Sequence, residues 1–301
     1  MKSNLFNLGI FTLACSWLAT HPAGADDGTL IEPTWKVGKK YSCEHSQHVV
    51  ITIGEGEQAI NNPVHVEINF EVEVSSHGTQ GEKALSFEAT KAKMTMNIFD
   101  QISAFDSEDP ENQSPNVASM LQGVLKTEDL KLIYDKDDKF VKFEEGKKDQ
   151  KKAAPASAPV AAVAPMQFGK NEIRQLLGYC VRSFPDKPVN KGDKWENEES
   201  VNFNLGAADV KIEMTAKGPN DKGKPIVDYQ SKIDVKFPEG GAAGGGAGKG
   251  EMKGEMTYDP EKAIIENHTA EIDMTANVAG LQLPVRQTAK TTVVNIEDIK
   301  K

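Results

Sequence analysis

Cysteine and histidine side chains near the start of the chain form the set of residues with the clearest chemical potential. Cys43, His45 and His48 lie close together, and His65 falls on the next predicted strand. Thiolate and imidazole groups are the ligands that zinc and copper prefer. Because side chains alternate between the two faces of a strand, Cys43 and His45 share a face that His48 does not. The pattern therefore favours ordinary strand residues over a metal site, and we predict no metal and no cofactor.

Cys43 and Cys180 are a second chemical possibility, a possible disulfide. They are the cysteines that remain if residues 1–25 are removed. In an oxidising compartment such a pair can form a covalent bridge. The alternative is two small buried apolar residues, because Cys180 lies on the apolar stripe of a predicted helix. Both interpretations stay open at this point.

Motifs of common enzymes and nucleotide-binding proteins do not fit the chain. The run 240–250 consists almost entirely of Gly and Ala, so we predict a flexible loop there. It does not fit a phosphate-binding loop, because it lacks the first glycine and the final hydroxyl residue of that motif. The run 135–139 has lysine where a calcium loop needs its third acid. No Gly-x-Ser-x-Gly, His-Glu-x-x-His or Cys-x-x-Cys pattern occurs. We therefore predict a protein that is not an enzyme, and a site assembled from distant residues is the weaker alternative.

The charge balance disfavours nucleic acids and anionic membranes as partners. The 301-residue chain has a formal net charge of -10. Residues 1–25 hold one lysine and no acid, so the remainder carries 34 basic and 45 acidic residues, a net charge of -11. Nucleic acids and anionic membranes bind clustered Lys and Arg. The sequence therefore disfavours both partners.

The N-terminus predicts export to the periplasm or the outside of the cell. Lys2 precedes an apolar run over 5–18, and Ala23-Gly24-Ala25 provides the small residues of a signal-peptidase site. We predict cleavage after Ala25. A lipid anchor at Cys15 is the less favoured alternative, because Thr12 stands where a lipobox needs leucine. No other stretch is long and apolar enough to span a bilayer.

Alternation of apolar and polar residues predicts a mainly β protein of the α+β class. The clearest strand covers 64–74, and a shift of phase near Lys91 predicts a bulge or a short turn. We expect about ten antiparallel strands in a curved sheet or half-barrel made of two similar meanders. The predicted divisions are the signal peptide (1–25), an N-terminal β half (26–150) that begins with a loose leader over 26–33, a disordered Ala/Pro linker (151–166) and a helix plus C-terminal β half (167–301).

Two short packing helices complete the predicted fold. Ser114-Pro115 is typical of a helix start, and apolar residues from Val117 to Leu125 recur at helical spacing. A second apolar stripe runs from Ile173 to Phe184. Pro185 and Pro188 are predicted to end that helix, and a turn leads into a strand at Trp195.

The segment around those prolines also carries a family resemblance. The pattern Pro-x-Lys-Pro-Val-x-x-Gly-Asp-x-Trp at 185–195, together with the segment 35–41, resembles an uncharacterised domain-of-unknown-function family of secreted planctomycete proteins. The resemblance covers about 35–297. It implies an exported β-rich fold of bacterial origin, and it supplies no active site because that family has none assigned.

Two classes of function remain for an exported, non-catalytic protein. The first is an envelope or extracellular protein whose curved sheet presents a surface to a partner. The alternative is a periplasmic carrier that holds a lipid or another apolar ligand in a half-barrel cavity. Methionines would give a carrier a pliable lining, although they also fill ordinary cores: Met94, Met96, Met214, Met252, Met256 and Met274.

Overall fold

One antiparallel sheet dominates the structure. The computed structural model describes residues 28–54, 56–109, 111, 113–127, 129–145, 168–203, 206–237, 246–278 and 280–300. The predicted signal peptide and the predicted linker lie outside these residues. Within them, no helix has the length and apolarity needed to cross a bilayer.

The twelve strands form an open sheet with the order β6-β5-β3-β2-β1-β12-β11-β10-β9-β8-β7, and β4 pairs with β3 beside this path. The strands are β1 (Lys39–Ile53), β2 (Ile60–His77), β3 (Glu82–Ile98), β4 (Gln101–Asp106), β5 (Leu130–Tyr134), β6 (Phe140–Glu145), β7 (Lys194–Phe203), β8 (Gly206–Pro219), β9 (Pro225–Phe237), β10 (Gly246–Asp259), β11 (Ile264–Val278) and β12 (Leu281–Asp298). The helices are α1 (Pro115–Leu125) and α2 (Lys170–Gly178).

The two β halves are joined into one continuous sheet by the pairing of β1 with β12. This register runs from Lys39 opposite Asp298 to Ile51 opposite Val285. The predicted mainly β fold, with antiparallel strands in a curved sheet, is confirmed. Of the two alternatives near Lys91, the structure has the bulge, because Thr90 is skipped between the pairs of β2 with β3. The strand count rises from about ten to twelve, and the short strand β4 was not predicted.

Helices cover the inner face of the N-terminal half, the face that carries the apolar residues of β2. The predicted α1 is confirmed, and its residues Val117, Leu121 and Val124 are buried. Helix α2 buries Ile173, Leu176 and Leu177. Both sets join the inner-face residues of β1, β2, β3 and β5 in one cluster, which we call the helix-covered core.

Helix α2 ends earlier than the apolar stripe predicted. Its last residue is Gly178, so the extension to Phe184 is wrong. The Cys180 carbonyl accepts a hydrogen bond from the Ile265 N–H at 3.0 Å, and that bond ties the chain to β11. Cys180 and Val181 nevertheless stay buried. The apolar pattern therefore reports burial of this segment and does not report its helical length.

The residues before β1 are packed against the rest of the protein. The prediction of a loose leader is therefore wrong for residues 28–33, the part that the structure describes. Thr29 and Val189 exchange two backbone hydrogen bonds of 2.9 Å. Ile31 is 2% exposed. The segment therefore contacts the Pro-rich motif at 185–195, and both lie against the C-terminal half.

The glycine-rich run corrects another expectation. Residues 246–250 are the start of β10, whereas a loop was predicted; residues 240–245 lie outside the described residues. A Cβ at Gly250 would collide with the backbone of Asp273 and Met274 on β11. Glycine at this position therefore allows β10 and β11 to approach closely.

Candidate functional site

The inner face of the C-terminal half forms a separate apolar cluster. We call it the helix-free core, because no helical residue of the described chain belongs to it. Phe184 and Trp195 pack against it as partly buried neighbours. Its members are Ile31, Val189, Val210, Ile212, Met214, Ala216, Val227, Tyr229, Ile233, Val235, Met252, Met256, Tyr258, Ile265, Ala270, Ile272, Met274, Ala276 and Ala289.

The composition of the helix-free core suits an apolar partner. Four of the six methionines predicted as a pliable lining belong to it: Met214, Met252, Met256 and Met274. Met94 and Met96 instead lie in the helix-covered core. Ala270 of β11 pairs with Ala289 of β12, and Ala276 lies farther along β11. Flexible thioethers beside small residues give a face that can adapt to the shape of what it contacts.

Four aromatic rings stack in a row beside the helix-free core, and we call them the polar seam. Tyr179 lies between His45 and His268, with ring centroids 6.4 Å and 4.2 Å away. Tyr229 continues the row at 5.4 Å from His268. His45 is on β1, His268 on β11 and Tyr229 on β9, and Tyr179 follows α2. The seam therefore joins the two halves of the sheet to the segment after α2.

Hydrogen bonds fix the protonation of the seam. Nδ1 of His45 lies 2.9 Å from Oγ1 of Thr291. The Tyr229 hydroxyl donates to the Thr269 carbonyl at 3.0 Å and lies 2.9 Å from Nε2 of His268. Because its single proton is used, the hydroxyl accepts from Nε2–H of His268. Nδ1 of His268 is then a bare acceptor with no partner among the described residues.

An ion pair ends the seam at the side of β7. The Arg182 guanidinium lies 5.1 Å from the centre of the Tyr229 ring. It contacts Glu199 through Nε at 2.8 Å and through Nη2 at 3.0 Å. The Arg182 side chain is 7% exposed, so its charge is neutralised by a partner where water is scarce.

Burial makes the seam a poor centre for acid–base chemistry. It lowers the pKa of His45 to about 4. It also lowers the pKa of His268 well below the usual value, with a further contribution from the Arg182 charge. The pKa values of Tyr179 and Tyr229 are raised by burial. A general acid or base works best with a pKa near the ambient pH, so these groups are suited to holding elements together.

The residues first considered as metal ligands are divided between two faces of the sheet. Cys43 and His45 are buried on the inner face, as their spacing predicted. His48 is exposed on the outer face, where its ring lies 6.2 Å from that of His65. Nε2 of His65 contacts Oε1 of Glu67 at 3.0 Å. Within the described ranges, no group of three or more potential ligands comes together.

Cys43 and Cys180 are direct neighbours in the helix-covered core. Each is 1% exposed, and both are free thiols. A hydrogen bond with Cys180, together with burial, raises the pKa of Cys43 well above its usual value. The structure therefore places both sulfurs where a bridge would connect β1 to the segment after α2. The disulfide itself stays a prediction.

The polar seam was missed in the sequence because its members are far apart along the chain. One signal was present. His45 and His268 occupy the strand parity that otherwise carries buried apolar residues, which marks them as inward-facing. Arg182 and Tyr179 gave no such signal, because they lie in a turn that was predicted to be helix.

Comparisons with known proteins give a family and a fold. The model of a family of unknown function (DUF6263) matches residues 80–265. Among curated proteins, no significant match is found. A solved structure titled "Lipid-protein interactions in lipovitellin" is similar over 89% of this chain, at 10% identity and a TM-score of 0.51. The match spans 26% of that chain. Because the identity is only 10%, the likeness is one of fold.

Proposed function

The chain belongs to DUF6263, a family of unknown function, and we propose that it is an exported, non-catalytic protein that carries a lipid or another apolar ligand. The observation that carries this proposal is the helix-free core. In the N-terminal half, α1 and α2 lie over the apolar inner face. In the C-terminal half, α2 approaches the edge strand β7, but no helical residue of the described chain joins the apolar cluster.

Apolar side chains have to be kept from water, which is the main free-energy requirement on this face. Each Å² of apolar surface removed from water contributes about 25 cal/mol. At one end, Ile31, Val189, Phe184 and Trp195 meet this requirement. Distal residues such as Ile233, Met274 and Ala276 lie farther along the strands. These three side chains are already only 2%, 7% and 1% exposed without a ligand. An apolar ligand would therefore have to enter between packed side chains, and the flexible methionines would adapt to it.

The fold likeness supports the proposal without carrying it. The solved structure has a title that concerns lipid–protein interactions, and those words describe that protein. At 10% identity, the binding residues of one chain cannot be transferred to the other. The carrier role therefore rests on this chain's own apolar face.

Export and the lack of catalysis complete the proposed function. Export is supported by the apolar run and the small residues that end at Ala25. Mass measurement of the exported protein is expected to show a chain that starts at Asp26. A chain that starts at a diacylated Cys15 would replace this part of the proposal with a lipid anchor.

Mass spectrometry of an organic extract tests the carrier role. The exported protein, purified without detergent, is expected to release a lipid in a fixed molar ratio. A protein that yields no lipid, and takes none up from vesicles, would contradict the carrier role and favour a protein that presents its sheet to a partner.

A pair of matched variants locates the ligand on the face. Met274→Gln places an amide in the helix-free core, where Met274 is 7% exposed. Met96→Gln makes the same change in the helix-covered core, where Met96 is 5% exposed. Both variants lose stability because a polar group is buried. Only Met274→Gln is expected to lower the lipid content; equal losses in both would show that the ligand is not on this face.

A further inference from the structure

One end of the sheet carries a strip of partly exposed apolar residues. It lies where β1 ends and β2 begins, and it crosses β3, β2, β1 and β12, which are adjacent in the sheet. Ile53 pairs with Ile60, and Ile51 pairs with Val285. We call this strip the lip, and its residues are Ile51, Ile53, Ile60, Ile98, Phe99, Leu281, Leu283 and Val285.

Large apolar side chains are unusually exposed at the lip. Ile60 is 42% exposed, Phe99 53% and Leu281 60%. Ile102 is 73% exposed, but its pairing with Asn97 gives it the strand parity of the opposite face. Ile60, Phe99 and Leu281 are therefore three of the eight large apolar residues that are exposed in the described chain. Such clustering marks an interaction surface, whereas single exposed apolar residues are common.

Charged residues are few at this end of the sheet, where the sequence places Glu55, Glu57 and Asp100 in the connections between strands. The chain as a whole is 27% charged. The stretches 45–54, 58–66, 94–99, 101–105 and 274–285 contain no Asp, Glu, Lys or Arg. At the opposite end of the same strands, Lys39 contacts Asp298 at 2.7 Å and Lys40 contacts Glu71 at 2.5 Å. The central strands therefore change from charged to uncharged along their length.

The tip of the lip is held in a fixed conformation. Phe99 has a φ of 49°, which costs a bulky residue roughly 1–2 kcal/mol. Its N–H donates to Oδ1 of Asn62 at 3.0 Å. Nδ2 of Asn62 donates to the carbonyls of Ile51 and Ile60 at 3.2 Å each. Asn62 is 2% exposed, so one buried amide fixes three parts of the lip and leaves Phe99 facing solvent.

We infer that the lip docks on the surface of an uncharged phospholipid layer. This inference rests on the proposed function, because docking there would bring the helix-free core to the source of its ligand. Leu283 and Val285 of the lip pack directly against that core, so the two apolar surfaces are continuous. Exposed apolar side chains gain free energy when they enter a lipid interface.

The acidic character of the chain selects the kind of lipid. The net charge is -10, and the connection between β1 and β2 contains Glu55 and Glu57 but no basic residue in its sequence. Anionic lipids attract basic residues and repel acidic ones. A zwitterionic layer such as phosphatidylcholine is therefore the partner that fits this surface.

Flotation with vesicles tests the inference directly. The exported protein is mixed with phosphatidylcholine vesicles, or with vesicles that also contain phosphatidylglycerol. It is expected to float with the first, and to bind the second more weakly at low salt. Failure to bind phosphatidylcholine, or binding that grows with the anionic fraction, would overturn the inference.

Variants of the lip provide the matched comparison. Phe99→Asn is compatible with the positive φ, because asparagine tolerates this conformation. Combined with Leu281→Asn, it is expected to weaken vesicle binding by about tenfold or more, because two apolar side chains no longer enter the layer. Val141→Asn with Val294→Asn changes residues that are 49% and 48% exposed elsewhere, and is expected to leave binding unchanged. Equal weakening in both double variants would overturn the inference.

Two further results distinguish docking on lipid from the carrier role and from self-association. If the organic extract contains lipid but the protein does not bind vesicles, the docking surface is contradicted and the carrier role is not. If the protein binds vesicles but the extract contains no lipid, the carrier role is contradicted and the docking surface is not. Light scattering measures the molar mass in solution and so tests whether a second copy of the chain is the partner of the lip. A dimer that the lip variant converts to a monomer, with no vesicle binding, would show that the lip joins two copies of the chain.

Discussion

The Tyr229 hydroxyl lies 2.9 Å from Nε2 of His268, although their strands, β9 and β11, are separated by β10. Gly254 makes this contact possible. It is paired with Tyr229 on one side and with Ala270 on the other. Because Gly254 has no side chain, the phenol ring lies across β10 and reaches β11. The central polar seam therefore depends on the absence of one Cβ.

Gly254→Ala is expected to destabilise the fold. The added Cβ would meet the Tyr229 ring and the Thr269 carbonyl, so the ring must leave the seam. Forcing a methyl group into a packed site costs about 1–3 kcal/mol. Gly178→Ala is the control, because nothing lies within 4 Å of a Cβ at that position. Urea unfolding compares the two, and equal midpoints would contradict the proposed contact.

The buried imidazole of His45 predicts a loss of stability in acid. Its pKa falls from 6.5 in the unfolded chain to about 4 in the fold, because burial disfavours the charged form. The unfolded state therefore binds more protons between these values. The contribution of His45 is fully present above pH 6.5 and declines by about 1.4 kcal/mol per pH unit as the pH falls toward 4.

His45→Gln measures this decline. The free energy of unfolding of the variant is expected to approach that of the natural protein as the pH falls from 6.5 toward 4, because the variant has no imidazole to protonate. A difference that stays constant between pH 6.5 and 4 would argue against a buried neutral imidazole.

Asn62→Ala is expected to loosen the lip. It removes hydrogen bonds to the N–H of Phe99 and to the carbonyls of Ile51 and Ile60. Leaving such buried groups without partners costs about 1–3 kcal/mol. Hydrogen exchange at the Phe99 amide is expected to accelerate. Asn61→Ala changes an exposed neighbour and is expected to change the free energy of unfolding by less than about 0.5 kcal/mol. Equal losses of stability in the two variants would show that the hydrogen bonds of Asn62 do not hold the lip.

Cys43 and Cys180 are expected to form a disulfide when a small disulfide oxidant accepts their electrons. Two thiols lose two protons and two electrons, and the oxidant is reduced to two thiols. Because the raised pKa of Cys43 keeps its thiol protonated, the reaction is expected to be slow in the fold. After reduced protein is treated with the oxidant, the intact mass should fall by two hydrogen atoms in the natural protein and not in Cys43→Ser. Two reactive thiols in protein that is unfolded after this treatment would contradict the bridge.

Strand alternation predicted most of the sheet because each central strand has one dry and one wet face. The pattern over 64–74 gave both the strand and its inner face. Strand β4 was missed because the turn before it, Phe99-Asp100, contains none of the glycine or asparagine that positive φ values usually require. The end of α2 was missed because Cys180 and Val181 are buried by contacts with the sheet, which periodicity cannot distinguish from helix.

The sites were less accessible to sequence reasoning. The pairing of β1 with β12 brings together residues from opposite ends of the chain, and no local pattern reports it. The lip depends on that pairing, because Ile51 and Val285 are more than two hundred positions apart. The methionines were visible in the sequence, but their division between two cores follows from where the helices lie.

Native mass spectrometry of the exported protein tests the carrier role most directly. The account predicts a complex heavier than the polypeptide by one or more lipid molecules, which organic solvent removes and phosphatidylcholine vesicles restore. Met274→Gln should carry less lipid, and Met96→Gln should match the natural protein. A bare polypeptide mass that stays unchanged after incubation with vesicles would contradict the central claim.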